Sequence, residues 1–381
     1  MKKLKVFVRV PPVADCGVAY YRQWLPMKIA EENGEVEMKC EKFTFAEAEG
    51  EEHKELTDEQ MQEYGSWADI MYWSRNDAPA YIAQAGGMSA FYRIPSVLDL
   101  DDNVQATRPY NPGFRSFHPN SPHMGYNIKS VGVFDTIIVS TKDLYDYYKF
   151  YTNPDKIFVC PNSLDWVERD EVYARDFSSE LFAKQPGEIR IGWSGSSAHY
   201  ENLRQMEKPL LEILRRYPNT TFYYTGLFGE LFQDKQLIQE GRIKKVGWSS
   251  LRQWPVTNRE MNLDIALAPL ADNMFNRAKS NLRLLEYGSA HFATIASPVS
   301  PYKCFTKDEV LFAMERPEWY NSIEKLVVNP SLRKELGENL YQRCKKDFDI
   351  RNNYKIWMKA LRQSIKDYVP GQTIFNSDSS S

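Results

Sequence analysis

The chain of 381 residues is 43% hydrophobic and 26% charged, enough for about two packed domains and too apolar to be disordered along most of its length. Its net charge of −3 divides unevenly: 17 Lys and Arg against 23 Asp and Glu in residues 1–164 give −6, and 31 against 28 in the remainder give +3. This excludes a strongly basic nucleic-acid footprint, and no stretch approaches the roughly 20 apolar residues of a membrane span.

The opening MKKLKVFVRVPP alternates like a strand and is too short in its apolar part for a signal peptide. A cytoplasmic protein is the expectation. Five cysteines (Cys16, Cys40, Cys160, Cys304 and Cys344) show no CxxC spacing and read as free thiols. Strands are expected at 4–10, 36–40, 69–74, 96–100, 136–140 and 156–160, with helices near 19–33, 78–88 and 141–150. Residues 103–125, rich in Pro, Asn and His, read as a long loop, a kind usually functional or mobile. Residues 163–187 read as an acidic connector. A second series follows: strands at 189–194, 220–225, 243–248, 264–270 and 293–297, and a helix over 199–216. Residues 306–369 are almost wholly helical in pattern, and 370–381 read as a disordered tail. Strands alternating with helices imply parallel sheets, and two such series imply two doubly wound α/β domains facing each other. Ligands of such folds sit at the carboxyl ends of the strands, here in the cleft between domains.

Three turns carry candidate chemistry. After the first strand and Pro11-Pro12, Gly17 opens a helix containing Arg22; its backbone donors suit an anion or a sugar, or it is an ordinary turn. The second domain opens with IGWSGSSAHYENL, where Gly192 and Gly195 bracket Trp193 and Ser194, followed by Ser196, Ser197 and His199. Small hydroxyl-bearing residues at a strand-to-helix turn suit a diphosphate, although neither a Walker loop nor GxGxxG is present. In the third, a buried strand ends at Pro269, a polar loop carries Asp272, Asn273 and Asn276, and a helix is expected to begin near Lys279-Ser280. Lys279 would offer charge and helix dipole to a phosphate, and Glu286, on roughly the same face, an acid for paired hydroxyls. An amphipathic helix with Leu282, Leu285 and Ala290 in the core explains the helix equally well, but not the polar loop before it.

The form FN-x-x-KSNL-x-x-LEY, at Phe275, Asn276, Lys279, Ser280, Asn281, Leu282, Leu285, Glu286 and Tyr287, resembles the C-terminal half of the retaining family-four GT-B glycosyltransferases. The segments GVAYYR (17–22), LDLDD (98–102), VSTKDL (139–144) and CPNSLD (160–165) agree with it. The resemblance implies an α/β GT-B fold: an acceptor-side Rossmann-like domain over 1–165, a nucleotide-sugar domain over 166–350, and a C-terminal helix over 351–369 packing back on the first domain. It implies transfer of a sugar from a nucleoside diphosphate sugar, UDP- or GDP-linked, to a hydroxyl, with retention and without a metal or other cofactor.

Glu286 matches the family's second glutamate, which binds the donor ribose; Ala278 stands where the first should be. The family's Arg and Lys at the first turn of this domain are also absent, with Trp193, Ser196 and His199 there instead. Lys279 and the backbone of Ser194–Ser197 are expected to replace them, with the base near Val246, Gly247 and Trp248. Asp99-Leu100-Asp101 spells DxD, a metal-diphosphate signature of a different glycosyltransferase fold. Here Asp101 and Asp102 read as acceptor-cleft acids or as caps, with Arg22, His118 and His123 on the same side. Lys279, His123 and Asp102 are the candidate catalytic groups. A surface glycan or lipid-linked intermediate is the expected acceptor; the acidic first half disfavours a hydroxylated nucleic-acid base, and no basic amphipathic helix favours a membrane. A non-catalytic nucleotide-sugar-binding module, favoured by Ala278, and an epimerase on the same fold are the alternatives.

Overall fold

The computed structural model describes residues 2–10, 16–40, 56–75, 79–175, 183–226 and 231–370. Pro11-Pro12, the middle of the expected connector and the expected tail from 371 onward lie outside them.

The first half runs β1 (Leu4–Arg9), α1 (Gly17–Ala19), a π-helical turn (Tyr20–Trp24), α2 (Leu25–Glu32), β2 (Val36–Cys40), α3 (Asp58–Trp67), β3 (Ile70–Ser74) and α4 (Pro79–Tyr92). It continues with β4 (Ser96–Leu100), α5 (Phe114–Phe117), α6 (Pro122–Val133), β5 (Thr136–Val139), α7 (Lys142–Tyr148) and β6 (Ile157–Val159). Its strands form one parallel sheet in the order β2-β1-β3-β4-β5-β6. Strands β3, β4 and β5 are buried at every residue, as strands covered by helices on both faces must be.

After α8 (Trp166–Ala174) the second half runs β7 (Ile189–Ser194), α9 (Tyr200–Arg216), β8 (Thr220–Thr225), α10 (Lys235–Gln239), β9 (Ile243–Lys245), α11 (Trp254–Glu260) and β10 (Ile265–Ala268). Then come α12 (Met274–Arg277), α13 (Leu282–Ser289), β11 (Ala293–Ala296), β12 (Leu311–Phe312), α14 (Arg316–Val328), α15 (Pro330–Asp347) and α16 (Ile350–Asp367). This sheet is also parallel, in the order β12-β11-β10-β7-β8-β9.

Four expectations are corrected here. The long loop is partly helical: Ser121 caps α6 by accepting from the His123 amide, and Pro122 sits in the first turn, where its missing N–H costs nothing. The buried residues of α6 are Asn127, Ser130 and Val131, so no apolar stripe announced it. The connector begins with a helix as well, α8, capped by Asp165, whose buried face includes a charged residue, Arg169. In the second half, Lys279 and Ser280 precede α13 rather than open it, and Asn276, expected in an irregular loop, belongs to α12, which Asn273 caps.

The chain crosses between halves twice at one place. Leu164 bonds the segment just before α16 through an isolated parallel bridge (Leu164 N–H to the Phe348 carbonyl, 3.0 Å; Ile350 N–H to the Leu164 carbonyl, 2.9 Å), and Arg351 makes a two-pronged pair with Asp165 at 2.8 Å on both prongs. From there α16 packs against α2, and the Trp357 indole donates to the Arg22 carbonyl at 3.0 Å.

Candidate functional site

The carboxyl ends of both sheets open on a cavity of about 730 Å³ lined by residues of both halves. In the second sheet β7 and β10 are neighbours whose following connections leave in opposite directions, so the loops after them part and leave a crevice there. Those two loops supply Gly195, Ser196 and His199 on one side and Lys279 and Ser280 on the other.

On the first-domain side, Arg22 is fully buried. Its guanidinium forks onto Asp99 (2.9 and 3.2 Å) and also donates to the Cys160 carbonyl and to Asn162 Oδ1 (2.9 Å). Tyr72 adds a 2.5 Å bond to Asp99. The carboxylate of Asp99 is therefore committed to Arg22 and Tyr72, which is why it cannot act with Asp101 as a metal-binding pair. Among the described residues no three His, Cys, Asp or Glu side chains converge as a metal site would require. Asp101 and Asp102 do face the cavity. Burial, with the neighbouring Asp102 charge adding to it, pushes the Asp101 carboxyl up to about 6. Asp102 reaches across the cleft to Lys279 at 3.3 Å.

The second-domain side is cationic. Gly195 and Gly226 bring two loops into backbone contact: Gly226 has φ +105°, and a Cβ there would overlap the Gly195 carbonyl. His199, at the N-cap of α9, is half-buried. Burial, then Arg283 and Lys279, hold it well below its ordinary value, so it is neutral. Asn202 lies 2.9 Å from His199 Nδ1, and its amide oxygen accepts from the Ala271 amide and from Asn276. That fixes Asn202 as donor to Nδ1 and leaves the imidazole proton on Nε2. Arg283, 3.1 Å from Nε2, then meets a donor rather than an acceptor, and its buried Nη1 has no partner among the described residues. Two sets of donors thus converge where only an acceptor would satisfy both, the condition for binding an anion.

Glu286, half-buried, also lines the cavity. Tyr21 and Trp254 both donate to its Oε1, at 3.1 and 2.9 Å, and no described residue bonds Oε2. Burial raises its carboxyl against the pull of Arg169.

Of the residues singled out in the sequence, Gly17, Arg22, Asp101, Asp102, Ser194, Gly195, Ser196, His199, Trp248, Lys279, Ser280, Leu282 and Glu286 line this cavity. Gly192, Trp193, Gly247, Asn276, Asn281, His118 and His123 do not. Gly192 is pressed against Leu263, and Trp193 lies beneath the Arg283 guanidinium, 4.9 Å from its ring centre. Asn281 occupies the N-cap position of α13 without a side-chain capping bond, and Asn276 braces Asn202. His118 accepts from the Asn120 amide and His123 sits against Phe117, because residues 114–133 fold into two helices packed on each other instead of a loop over the cleft. Sequence reasoning missed Arg283, Tyr21, Trp254 and Lys245, all in the cavity wall. Arg283 was legible in principle, three residues before Glu286 on the same face of α13.

Two Rossmann-like halves facing across a cleft define the GT-B fold, and solved structures match this chain along nearly all of it. HepE from Anabaena in complex with UDP-glucose aligns with a TM-score of 0.66 and 11% identity over 94% of this chain and 100% of that one. The trehalose-6-phosphate structure from E. coli bound with UDP-2-fluoro glucose gives 0.60 and 11%, over 94% and 99%. The UDP-GlcNAc 2-epimerase from Neisseria meningitidis bound to UDP-GlcNAc gives 0.52 and 12%, over 95% and 100%. No family model matches the sequence, and a search of curated proteins returns no match. No helix among the described residues is long and apolar enough to cross a membrane.

Proposed function

We propose that the protein is a retaining glycosyltransferase that moves a sugar from a UDP- or GDP-sugar to an acceptor hydroxyl. The observation that carries this reading is the division of one cavity into a cationic wall on the second domain and a carboxylate wall on the first. Arg283, His199 and the Gly195–Ser196 backbone would hold the diphosphate, with Lys279 beside them. Glu286 Oε2 would accept from the ribose hydroxyls, and Trp248, 42% exposed, would lie along the base. Asp101 and Asp102 would face the acceptor. In the transfer the bond from the sugar's C1 to the phosphate oxygen breaks, the acceptor oxygen bonds C1 on the same face, and the hydroxyl proton leaves with the diphosphate. Cations fixed against the departing oxygen stabilise the charge that develops there.

In this reading residues 1–165 hold the acceptor, a glycan, and residues 166–350 the donor, in a cytoplasmic protein using no metal. The similarity to UDP-sugar-bound neighbours of the same fold supports the donor class. An epimerase is the second reading, since two neighbours of this fold carry that name; it needs no acceptor wall, and the paired Asp101 and Asp102 argue against it. A panel of nucleotide sugars, offered with Mg²⁺ and with EDTA, tests both. Metal-independent binding and release of nucleoside diphosphate is expected, with Glu286→Ala weakening affinity about tenfold or more. Isomerised donor without release would establish the epimerase, and no binding of any donor would defeat the transferase reading.

A further inference from the structure

Helix α8 carries a buried cation that the donor and acceptor walls do not use. Arg169 is 4% exposed, and its Nε and Nη1 have no hydrogen-bond partner among the described residues. Its Nη2 donates to the Tyr21 hydroxyl at 3.4 Å, and Tyr21 in turn donates to Glu286 Oε1 at 3.1 Å. The chain Arg169–Tyr21–Glu286 joins three elements far apart in sequence: α8, the π-helical turn and α13. A guanidinium in this position is expensive to bury, and here it lacks a direct carboxylate partner within ion-pair distance among the described residues. Its charge favours the ionised form of Glu286 directly, beside the separate hydrogen bond that Tyr21 gives the same carboxylate.

The helix that presents it is pinned to the second domain. Asp170 accepts from Tyr341 (2.8 Å) and Lys345 (2.6 Å) on α15, and Tyr173 stacks on His291 with centroids 4.1 Å apart. Trp166, at the start of α8, donates to the Phe348 carbonyl at 3.0 Å. With both ends tied down, Arg169 is a fixed point against which Tyr21 and Glu286 are set.

We propose that Arg169 is a positioning residue for Glu286, holding it through the Tyr21 hydroxyl with Oε2 turned to the cavity while its charge keeps the carboxylate ionised. This rests on Glu286 being a donor ligand, as argued above. Glu286 is faced by Arg283 of its own helix, by Tyr21 and Trp254, by Arg169 from α8 and, further off, by Tyr302; Arg169 is faced by Glu168, Tyr20, Tyr21 and Glu286. Among these, Arg169 exerts the largest charge effect on Glu286 in the direction of ionisation. Its removal therefore raises the carboxyl further, and ligand binding that needs the ionised form is lost at a higher pH.

Titration calorimetry with UDP and with GDP, between about pH 5 and about pH 9, tests this on the full chain. In the wild type, affinity falls as pH drops through the Glu286 titration. Arg169→Met should weaken binding about tenfold near neutrality and move that midpoint upward by about one unit, and Arg169→Lys should restore the midpoint. Tyr21→Phe breaks the relay while leaving the cation, so it should weaken binding with a smaller midpoint change; it also carries the test if Arg169→Met does not fold. In a Glu286→Gln background neither change should move the pH profile. A uniform loss at all pH values in Arg169→Met, or wild-type binding by Tyr21→Phe, would overturn the assignment while leaving the donor reading intact. A wild-type protein that binds neither nucleotide overturns the donor reading and this inference with it.

Discussion

Arg283 and Lys279 both bring positive charge to the cavity, but their partners differ. Lys279 already pairs with Asp102 and lies 4.5 Å from the Phe275 ring centre, whereas Arg283 faces a neutral imidazole that offers it no acceptor. An anion therefore gains more from Arg283. Arg283→Ala should weaken UDP binding about tenfold or more, and Lys279→Ala by a smaller factor, in calorimetric titration. The reverse ranking would move the diphosphate toward the first domain. Asp101 makes a prediction about stability. Its carboxyl titrates near 3.8 when unfolded and at about 6 when folded, so between those values the folded state binds more protons. Stability is thereby lost as pH rises from about 4 to about 6. Asp101→Asn removes this loss: by urea denaturation the variant should exceed the wild type by about 1–2 kcal/mol at about pH 8, the difference vanishing near pH 4.

Among the elements, the turns after β7 and β8 meet through two glycines. Gly226 holds φ +105°, and the Gly195 carbonyl occupies the space a side chain would need. Gly226→Ala should cost about 1–3 kcal/mol in denaturant and should also reduce UDP affinity, because the Gly195 backbone that faces the cavity must move. A loss of stability with undiminished affinity would separate this turn from the site. Helices α6 and α8 show what hides an element from sequence reading. Their buried faces hold Asn127, Ser130 and Arg169, polar side chains that leave no apolar stripe to read. By contrast α9, with Leu203, Met206, Leu210 and Leu214 buried at helical spacing, was readable from its apolar stripe alone.

At the scale of the molecule, the two halves are tied by the double crossing at Leu164 and Ile350 and by α16. That helix buries Tyr354, Trp357, Met358 and Leu361, and its Trp357 indole closes over the Arg22 carbonyl and the Tyr72 hydroxyl. Burial of four large side chains at about 2–3 kcal/mol each is of the same order as the whole stability of a domain. A chain ending at Phe348 is expected to lose its cooperative thermal transition in the first domain, by calorimetry and near-ultraviolet dichroism. A folded, monomeric truncated chain would show that α16 is a passenger.

Both parallel sheets except the edge strand β12, which lies in a stretch read as helical, the order of the other strands along the chain and the three loops that reach the cavity were determined locally, by apolar runs of strand length, glycine turns and the KSNL segment. Burial on both faces of a parallel strand demands such runs wherever they occur, so the sequence displays them. The pairing of Arg22 with Asp99, the orphaned Arg283, the relay from Arg169 through Tyr21 to Glu286 and the exclusion of His118 and His123 were decided only by the tertiary structure. Each depends on polar groups brought together from distant segments, where one charge can be a ligand contact or a buried strut according to what the fold places beside it.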